Sequence, residues 1–244
     1  LQEYKNEIVI VQNFDNSGFS RANNIAAKYA SGNVYFLLNN DTILKKDTIQ
    51  KSLDFLISDE KIGILSPKLL NADGSVQCPG SILGQWRFRS SSPIEVPFIA
   101  GAAVFIKKDI YEKIGGLDEN LYFYNDDIDL CKNIKKIGYK ILYFPYAELT
   151  HIGGVSTKFR KNHTMVEGYR GGFYICKKHY GTFLFFIYRW LVCLDVIPKF
   201  IYYSVASIFY KKKCEMRNVF FKIMMLNLKS EFTVNYPPLR VKKW

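Results

Sequence analysis

Three places along the chain gather side chains that could do chemistry. At Asn39-Asn40-Asp41-Thr42 a carboxylate follows directly on the apolar run Val34 to Leu38. With the Asn39 amide two residues before it, Asp41 suits a hard divalent ion, because Mg2+ and Mn2+ take one or two carboxylates and complete their sphere with substrate phosphate oxygens. The same residue types favour plain turns for local hydrogen-bonding reasons, so a simple chain reversal is the alternative. At Asp126, Asp127 and Asp129 three acids crowd what reads as the first turn of a helix, where the dipole favours negative charge. They follow Leu121-Tyr122-Phe123-Tyr124, a run that either stacks on a sugar ring or packs inside, and a carboxylate held there can act as general base on a hydroxyl. His151 precedes Gly153-Gly154, a pair that lets backbone approach a ligand closely. A lone histidine is otherwise structural, which is also the reading for His163 and His179.

The elements that must position these groups alternate between strand and helix over the first 150 or so residues, the pattern of an α/β domain with a largely parallel sheet. Ile8 to Val11 reads as a strand, Gln12 to Gly18 as a polar turn, and Ser20 as the cap of a helix through Ala22, Ile25 and Tyr29 that stops at Gly32. Val34 to Leu38 is apolar on both faces, as a central strand should be. Asp41 then falls outside its carboxyl end, where open α/β sheets bind ligands. Asp47 caps a helix carrying Ile49, Leu53 and Leu56, Ile62 to Leu65 is a strand, and Asn71-Ala72-Asp73-Gly74 is a turn. The Ser/Pro/Gly-rich stretch from there to Pro97 reads as a long loop able to act as a lid. Phe98 to Ile106 is a buried strand, and Asp109 caps a short helix ended by Gly115-Gly116. Asn125 or Asp126 caps a helix with the stripe Ile128, Cys131, Ile134 and Ile137 and a stop at Gly138, and Tyr139 to Phe144 returns as a strand.

Composition bounds what such a site serves. A chain of 244 residues that is 48% hydrophobic and 23% charged can bury a sizeable core and is not disordered. Its net charge of +12 favours anionic partners: phosphate-bearing ligands, an anionic membrane face or nucleic acid. No recognisable nucleic-acid-reading module is present, so nucleic acid is not an expected partner. Five cysteines without a CxxC pair argue against a zinc finger or a disulfide framework and fit a reducing compartment. The first residues lack a basic segment followed by an apolar one, so a cytoplasmic location is expected. From about Arg170 the sequence turns aromatic, aliphatic and Lys-rich. Phe183 to Tyr210 is long enough to span a bilayer but is interrupted by Arg189, Asp195, Pro198 and Lys199. Two readings stand: helices lying on a membrane surface with Lys211-Lys212-Lys213 at the headgroups, or a helical subdomain packed on the sheet. The expected division is residues 1–169 and 170–244.

Taken in order, these pieces resemble the family 2 glycosyltransferases, in particular their rhamnosyltransferase-like members. The matching segments are Asn16-Ser17-Gly18-Phe19 with Asn23-Asn24, Leu37-Leu38-Asn39-Asn40-Asp41-Thr42, Asp73-Gly74, Gly115-Gly116-Leu117-Asp118-Glu119, Tyr124 to Cys131, and His151-Ile152-Gly153-Gly154. The resemblance implies a GT-A fold and an inverting transfer from a nucleoside diphosphate sugar to a saccharide or lipid-linked saccharide hydroxyl in cell-surface polysaccharide synthesis, with Mg2+ or Mn2+ as cofactor. It places Asn39 and Asp41 on an Asp-x-Asp-like motif with Asp41 as metal carboxylate, and His151 beside the metal and diphosphate. Asp126 and Asp127 fall on a Glu-Asp motif with Asp127 as base, and Asn16, Gly18 and Asn24 fall on the nucleotide side. A rhamnose donor and a location at the inner membrane face are part of the same implication. Asn40 departs from a common proline, and Asp126 from a glutamate. Relatives begin with a strand–helix–strand unit that supplies part of the base pocket, and the resemblance enters this sequence after that unit. An N-terminally incomplete enzyme is therefore expected, with a non-catalytic remnant that binds membrane or a partner enzyme as the alternative.

Overall fold

A computed structural model of the chain describes residues 2–4, 7–79, 82–153, 161–229, 232–237 and 240–243. Gly154 of the His-Ile-Gly-Gly segment, and Gly80 and Ser81 of the expected lid, lie outside the described residues. The strands are β1 (Val11–Asn13), β2 (Val34–Leu38), β3 (Thr42–Leu44), β4 (Ile62–Leu70), β5 (Ile94–Glu95), β6 (Ala103–Lys107), β7 (Lys140–His151) and β8 (Val241–Lys243). The helices are α1 (Gly18–Ala27), α2 (Thr48–Ser58), α3 (Lys108–Lys113), α4 (Asp126–Lys136), α5 (Lys161–Phe209) and α6 (Cys214–Asn227).

The α/β class with a sheet flanked by helices stands as expected, but the sheet is mixed rather than largely parallel. Its order is β2-β6-β4-β7-β3, with β5 added on β7. Among the described residues only β4 and β7 pair in parallel. Strand β6 runs antiparallel to both β2 and β4, so β2, β4 and β7 share one direction while β6 is inserted the other way. A five-residue apolar strand looks the same in either direction, and for that reason the alternation of strands and helices did not reveal the insertion. The core forms on both faces of this sheet: Tyr35, Ile64, Val104, Ile106, Ile134 and Tyr143 on one, Leu56, Ile62, Leu65, Phe105 and Phe144 on the other.

Several local expectations shift. Strand β1 begins only at Val11 and pairs with β8 outside the central sheet. Helix α1 starts at Gly18 after Ser17, with Ser20 buried inside it rather than capping it. Asp47 and Asn125 do sit at the N-caps of α2 and α4, both with positive φ and neither with a side-chain capping bond. The expected lid is largely anchored: a 3-10 turn at Ile82–Arg89 buries Phe88 against Phe98 and Tyr143, and β5 joins the sheet. The sheet absorbs this stretch because its apolar residues, Phe88 and Val96, have core partners.

Helix α5 is two limbs meeting at Gly181, whose φ of 77° and ψ of 176° no helix accommodates. The first limb, residues 161–180, docks beside α4. Buried Asp129 is held there by Lys178 at 2.8 Å and His179 at 2.6 Å, so the third acid of the Asp126 to Asp129 group is a structural anchor and His179 its partner. Asn125 donates to the Gly168 carbonyl at 3.1 Å, and a side chain at Gly171 would meet the Asn125 amide at 2.7 Å. The second limb, residues 182–209, packs on α6 around Phe173, Phe185, Val192, Val196, Phe220 and Ile223.

Candidate active site

One edge of the sheet collects the candidate residues, because the carboxyl ends of β2 and β7 and the amino end of β6 meet there. Leu38 pairs with Ala103, and the Asn39 N–H donates to the Ala102 carbonyl at 3.0 Å. Three residues on, the chain has become β3 and pairs with the end of β7, Thr42 opposite His151, while the Asp41 carbonyl accepts from Ile152 N–H at 2.9 Å. Asn39 and Asp41 are two residues apart, so their Cα atoms are separated by about 7 Å at most. The segment 39–41 thus bridges the Gly101-Ala102 corner of β6 to the His151 end of β7.

At the β7 end, Asp41 and His151 face each other, Oδ1 to Nε2, at 3.3 Å, each with little solvent exposure. The other ring nitrogen, Nδ1, lies 2.7 Å from Gln77 Oε1. Gln77 is oriented in turn by donating Nε2–H to Asn71 Oδ1 at 3.0 Å, Asn71 donates to Ser75 Oγ at 2.9 Å, and Ser75 donates to Asp73 at 2.6 Å. These Ser75 bonds hold the Asp73 carboxyl below its usual range. The direction of the whole series is therefore set from its charged end. Gln77 Oε1 can only accept, so His151 Nδ1 carries a proton toward it and Nε2 is the ring atom turned to the Asp41 carboxylate. The carboxylate oxygen and the ring nitrogen can bond each other through a proton or, with Nε2 unprotonated, offer one oxygen and one nitrogen to a cation.

Among the described residues no three His, Cys, Asp or Glu side chains gather to hold a metal by themselves. One carboxylate and one imidazole fit an ion whose remaining positions are filled by substrate phosphate and water. The sequence marked Asp41 and His151 but missed Gln77. The Asp73-Gly74 turn was the available signal, since its closure by the Leu70–Val76 bridge and by Gln77 N–H to the Leu69 carbonyl folds Gln77 back beside the end of β4, from which its side chain reaches His151. Gln77→Ala is expected to weaken divalent-ion affinity about 10–100-fold, as loss of a partner orienting a ligand does. Calorimetric titration with Mn2+ reads the change.

At the β6 end, the Asp127 carboxylate accepts from Ile128 N–H at 2.8 Å and from Gly101 N–H. A Cβ built on Gly101 would lie 3.5 Å from Asp126 Oδ2 and 3.8 Å from Asp127 Cβ, so both acids border this corner. Tyr124 and Asn125, just before them, both have positive φ, at 65° and 67°. Left-handed backbone at a non-glycine residue costs about 1–3 kcal/mol, and the first limb of α5, packed on Asn125, holds it in place. Protein crowded around the acids withholds water from them. Burial, and then the charge of Asp127, pushes Asp126 up to about 7. Burial raises Asp127 as well, against the hydrogen bonds it accepts.

The residues expected on the nucleotide side divide. Asn16 Oδ1 accepts from Gly18 N–H at 3.1 Å, and Gly18, at φ 72°, lies where a Cβ would strike the Tyr122 carbonyl at 2.5 Å. Asn24 instead clamps α1 to the loop after α3, donating to the Leu117 carbonyl and Glu119 and accepting from Leu117 N–H and the Tyr111 hydroxyl. With both donors and both lone pairs committed inside the protein, it positions that loop and has nothing left to offer a ligand. A cavity of about 640 Å3 runs along the outer face of α4, lined by Phe98, Ile128, Lys132, Lys135, Lys136 and Tyr180, with neither Asp126 nor Asp127 in its lining.

The family described as glycosyltransferase-like family 2 matches residues 2–167. Among curated proteins the chain is similar to the O-antigen biosynthesis protein RfbC of Myxococcus xanthus, 29% identical over 152 residues, 53% of this chain and 12% of that protein. It is 27% identical over 134 residues to an N-acetylglucosaminyl-diphospho-decaprenol L-rhamnosyltransferase of Mycobacterium tuberculosis, 45% of this chain and 44% of that protein. It is 22% identical over 228 residues to the low-salt glycan biosynthesis hexosyltransferase Agl10 of Haloferax volcanii, 83% of this chain and 74% of that protein. The chain spans less than half the length of the first two. A crystal structure of GalNAc-T7 with UDP, GalNAc and Mn2+ shares the fold, with a TM-score of 0.50 at 17% identity over 65% of this chain and 35% of that one.

Proposed function

The chain belongs to glycosyltransferase-like family 2, and from that premise we propose that it is an inverting glycosyltransferase acting in cell-surface polysaccharide synthesis. It takes a sugar, with rhamnose the first candidate, from a nucleoside diphosphate and passes it to a hydroxyl of a saccharide or lipid-linked saccharide. Residues 1–169 are the catalytic unit, and residues 170–244 hold it at the inner face of the membrane. The observation that carries this reading is the paired arrangement at one sheet edge. A carboxylate and an imidazole face each other at 3.3 Å on β3 and β7, and a second carboxylate with a raised pKa is fixed by backbone N–H groups at the β6 corner.

Asp41 and His151, with Gln77 orienting the imidazole, hold Mg2+ or Mn2+; the ion, when bound, neutralises charge on the departing diphosphate. Asn39 borders the donor from the same segment, and Asn16 and Gly18 line its nucleotide side. Asp127 accepts the proton of the acceptor hydroxyl as that oxygen bonds to the anomeric carbon. The bond to the diphosphate breaks on the opposite face, its electron pair leaving with the phosphate, and configuration inverts in the single displacement. Burial keeps the Asp127 carboxyl above its ordinary range, a setting suited to a base, and Asp126 stands beside it.

Calorimetry on the whole chain tests the donor half. At least one of UDP, GDP and dTDP is expected to bind more tightly with Mn2+ than without. Failure of all three to bind under either condition overturns the reading.

A further inference from the structure

The second limb of α5 shows solvent an apolar stripe with no charged residue on it. Phe183, Ile187, Trp190, Leu191, Leu194, Ile197, Pro198, Ile201, Tyr202, Val205, Ile208 and Phe209 recur at three- and four-residue spacing, and all are exposed. The exposure is large, at 76% for Phe183, 70% for Trp190, 68% for Leu194 and 77% for Ile208. At 1.5 Å per residue the stripe is about 40 Å long, and monomeric soluble proteins rarely leave so much contiguous apolar surface open. The opposite side of the limb already has its partner, the core shared with α6. On the open side, Ile197, Met225 and Leu228 edge an apolar groove of about 180 Å3 between the limb and α6. Among the described residues no helix is long and apolar enough to cross a membrane.

Charge selects the occupant. Residues 182–229 hold eight Lys and Arg against two acids, an excess of six that is half of the chain's +12. Lys211, Lys212 and Lys213 follow the last apolar turn, with Lys222 exposed on α6 and Lys229 exposed just after it. A second copy of this face would bring like charges together, which disfavours self-pairing. An anionic leaflet supplies both complements, acyl chains for the stripe and acidic headgroups for the lysines, while Trp190, Tyr202 and Tyr210 suit the boundary between them. We propose that the α5 second limb and α6 form a hairpin that lies in the plane of an anionic membrane leaflet, with the Phe183 to Phe209 stripe among the acyl chains and Lys211 to Lys213 on the headgroups. This deepens the membrane part of the proposed function and rests on it for what the surface serves.

Cosedimentation of the whole chain with vesicles of phosphatidylcholine alone, or with added phosphatidylglycerol, tests it. Binding is expected with the anionic vesicles and much less with the neutral ones. In a Trp86→Phe/Trp244→Phe background, brominated acyl chains are expected to quench Trp190. Neutralising Lys211, Lys212 and Lys213 with Gln should lower affinity about 100-fold, the combined loss of three lysines at the surface. Leu194→Glu with Ile201→Glu should abolish quenching while circular dichroism stays unchanged, since both side chains are exposed. Equal binding to both vesicle types, or no vesicle binding together with concentration-dependent dimerisation, overturns the proposal. Metal-linked nucleotide binding measured on the same variants is expected to be unaltered, so loss of vesicle binding and loss of the transferase reading are told apart.

Discussion

An Asp127→Asn chain is expected to transfer sugar about 10²–10⁴-fold more slowly than the unaltered chain, the usual worth of a positioned base, with donor binding unchanged. Asn keeps the shape of the side chain and can still accept from the Gly101 and Ile128 N–H groups, but it cannot take the acceptor's proton. Single-turnover rates beside calorimetric donor affinities check the split; equal rates in the two chains remove Asp127 from the role. The pH profile carries the same argument. The base works ionised, and burial raises the Asp127 carboxyl, so turnover should fall on the acid side from a point above the ordinary carboxylate range, while Asp126, pushed up to about 7, titrates beside it. Asp126→Asn removes the neighbour whose own titration lies at about 7, so any step of the profile near 7 should vanish while the Asp127 limb stays where it is. Stability follows the opposite sign. A carboxyl held neutral in the fold contributes most below its ordinary value of 3.8 and loses that contribution as pH rises toward about 7, so Asp126→Asn should stabilise the chain at neutral and higher pH.

The second large effect concerns Asp41. Asp41→Asn is expected to erase the gain in donor affinity that Mn2+ provides, a loss beyond the roughly 10–100-fold predicted for the supporting residue Gln77. Metal-free nucleotide affinity should be untouched. The reason lies in the division of labour at the β3–β7 end: Gln77 only orients His151, whereas Asp41 supplies the negative charge that a divalent ion needs. A metal-dependent gain of unchanged size in Asp41→Asn would place the cation elsewhere. Because the Asp41 carbonyl, not its side chain, pairs with Ile152, the substitution leaves the β3 register intact.

Much of this chain was legible as a string of residues. The apolar run Val34 to Leu38 marked a strand, and the polar break after it put Asp41 at that strand's carboxyl end, but the structure sets the strand at the edge of the sheet rather than its centre, with Tyr35 and Leu37 buried and Leu38 exposed, because an apolar run does not tell which neighbours flank it. Helix α4 was visible from its acidic start, its apolar period and Gly138. What these patterns encode is local: which face of an element is covered and where it ends. They say nothing of which element does the covering, and only the tertiary structure decided that. Sheet order brought Gln77 to His151 across 74 positions and lodged Gly101 against Asp127. It inserted β6 antiparallel, spent Asn24 on a clamp, and set Asp129 apart from its two neighbours as an anchor for α5. The second limb of α5 is the plainest case. It is apolar nearly all round, so its period cannot distinguish the side that packs from the side left open, and the place where α6 settles makes that choice.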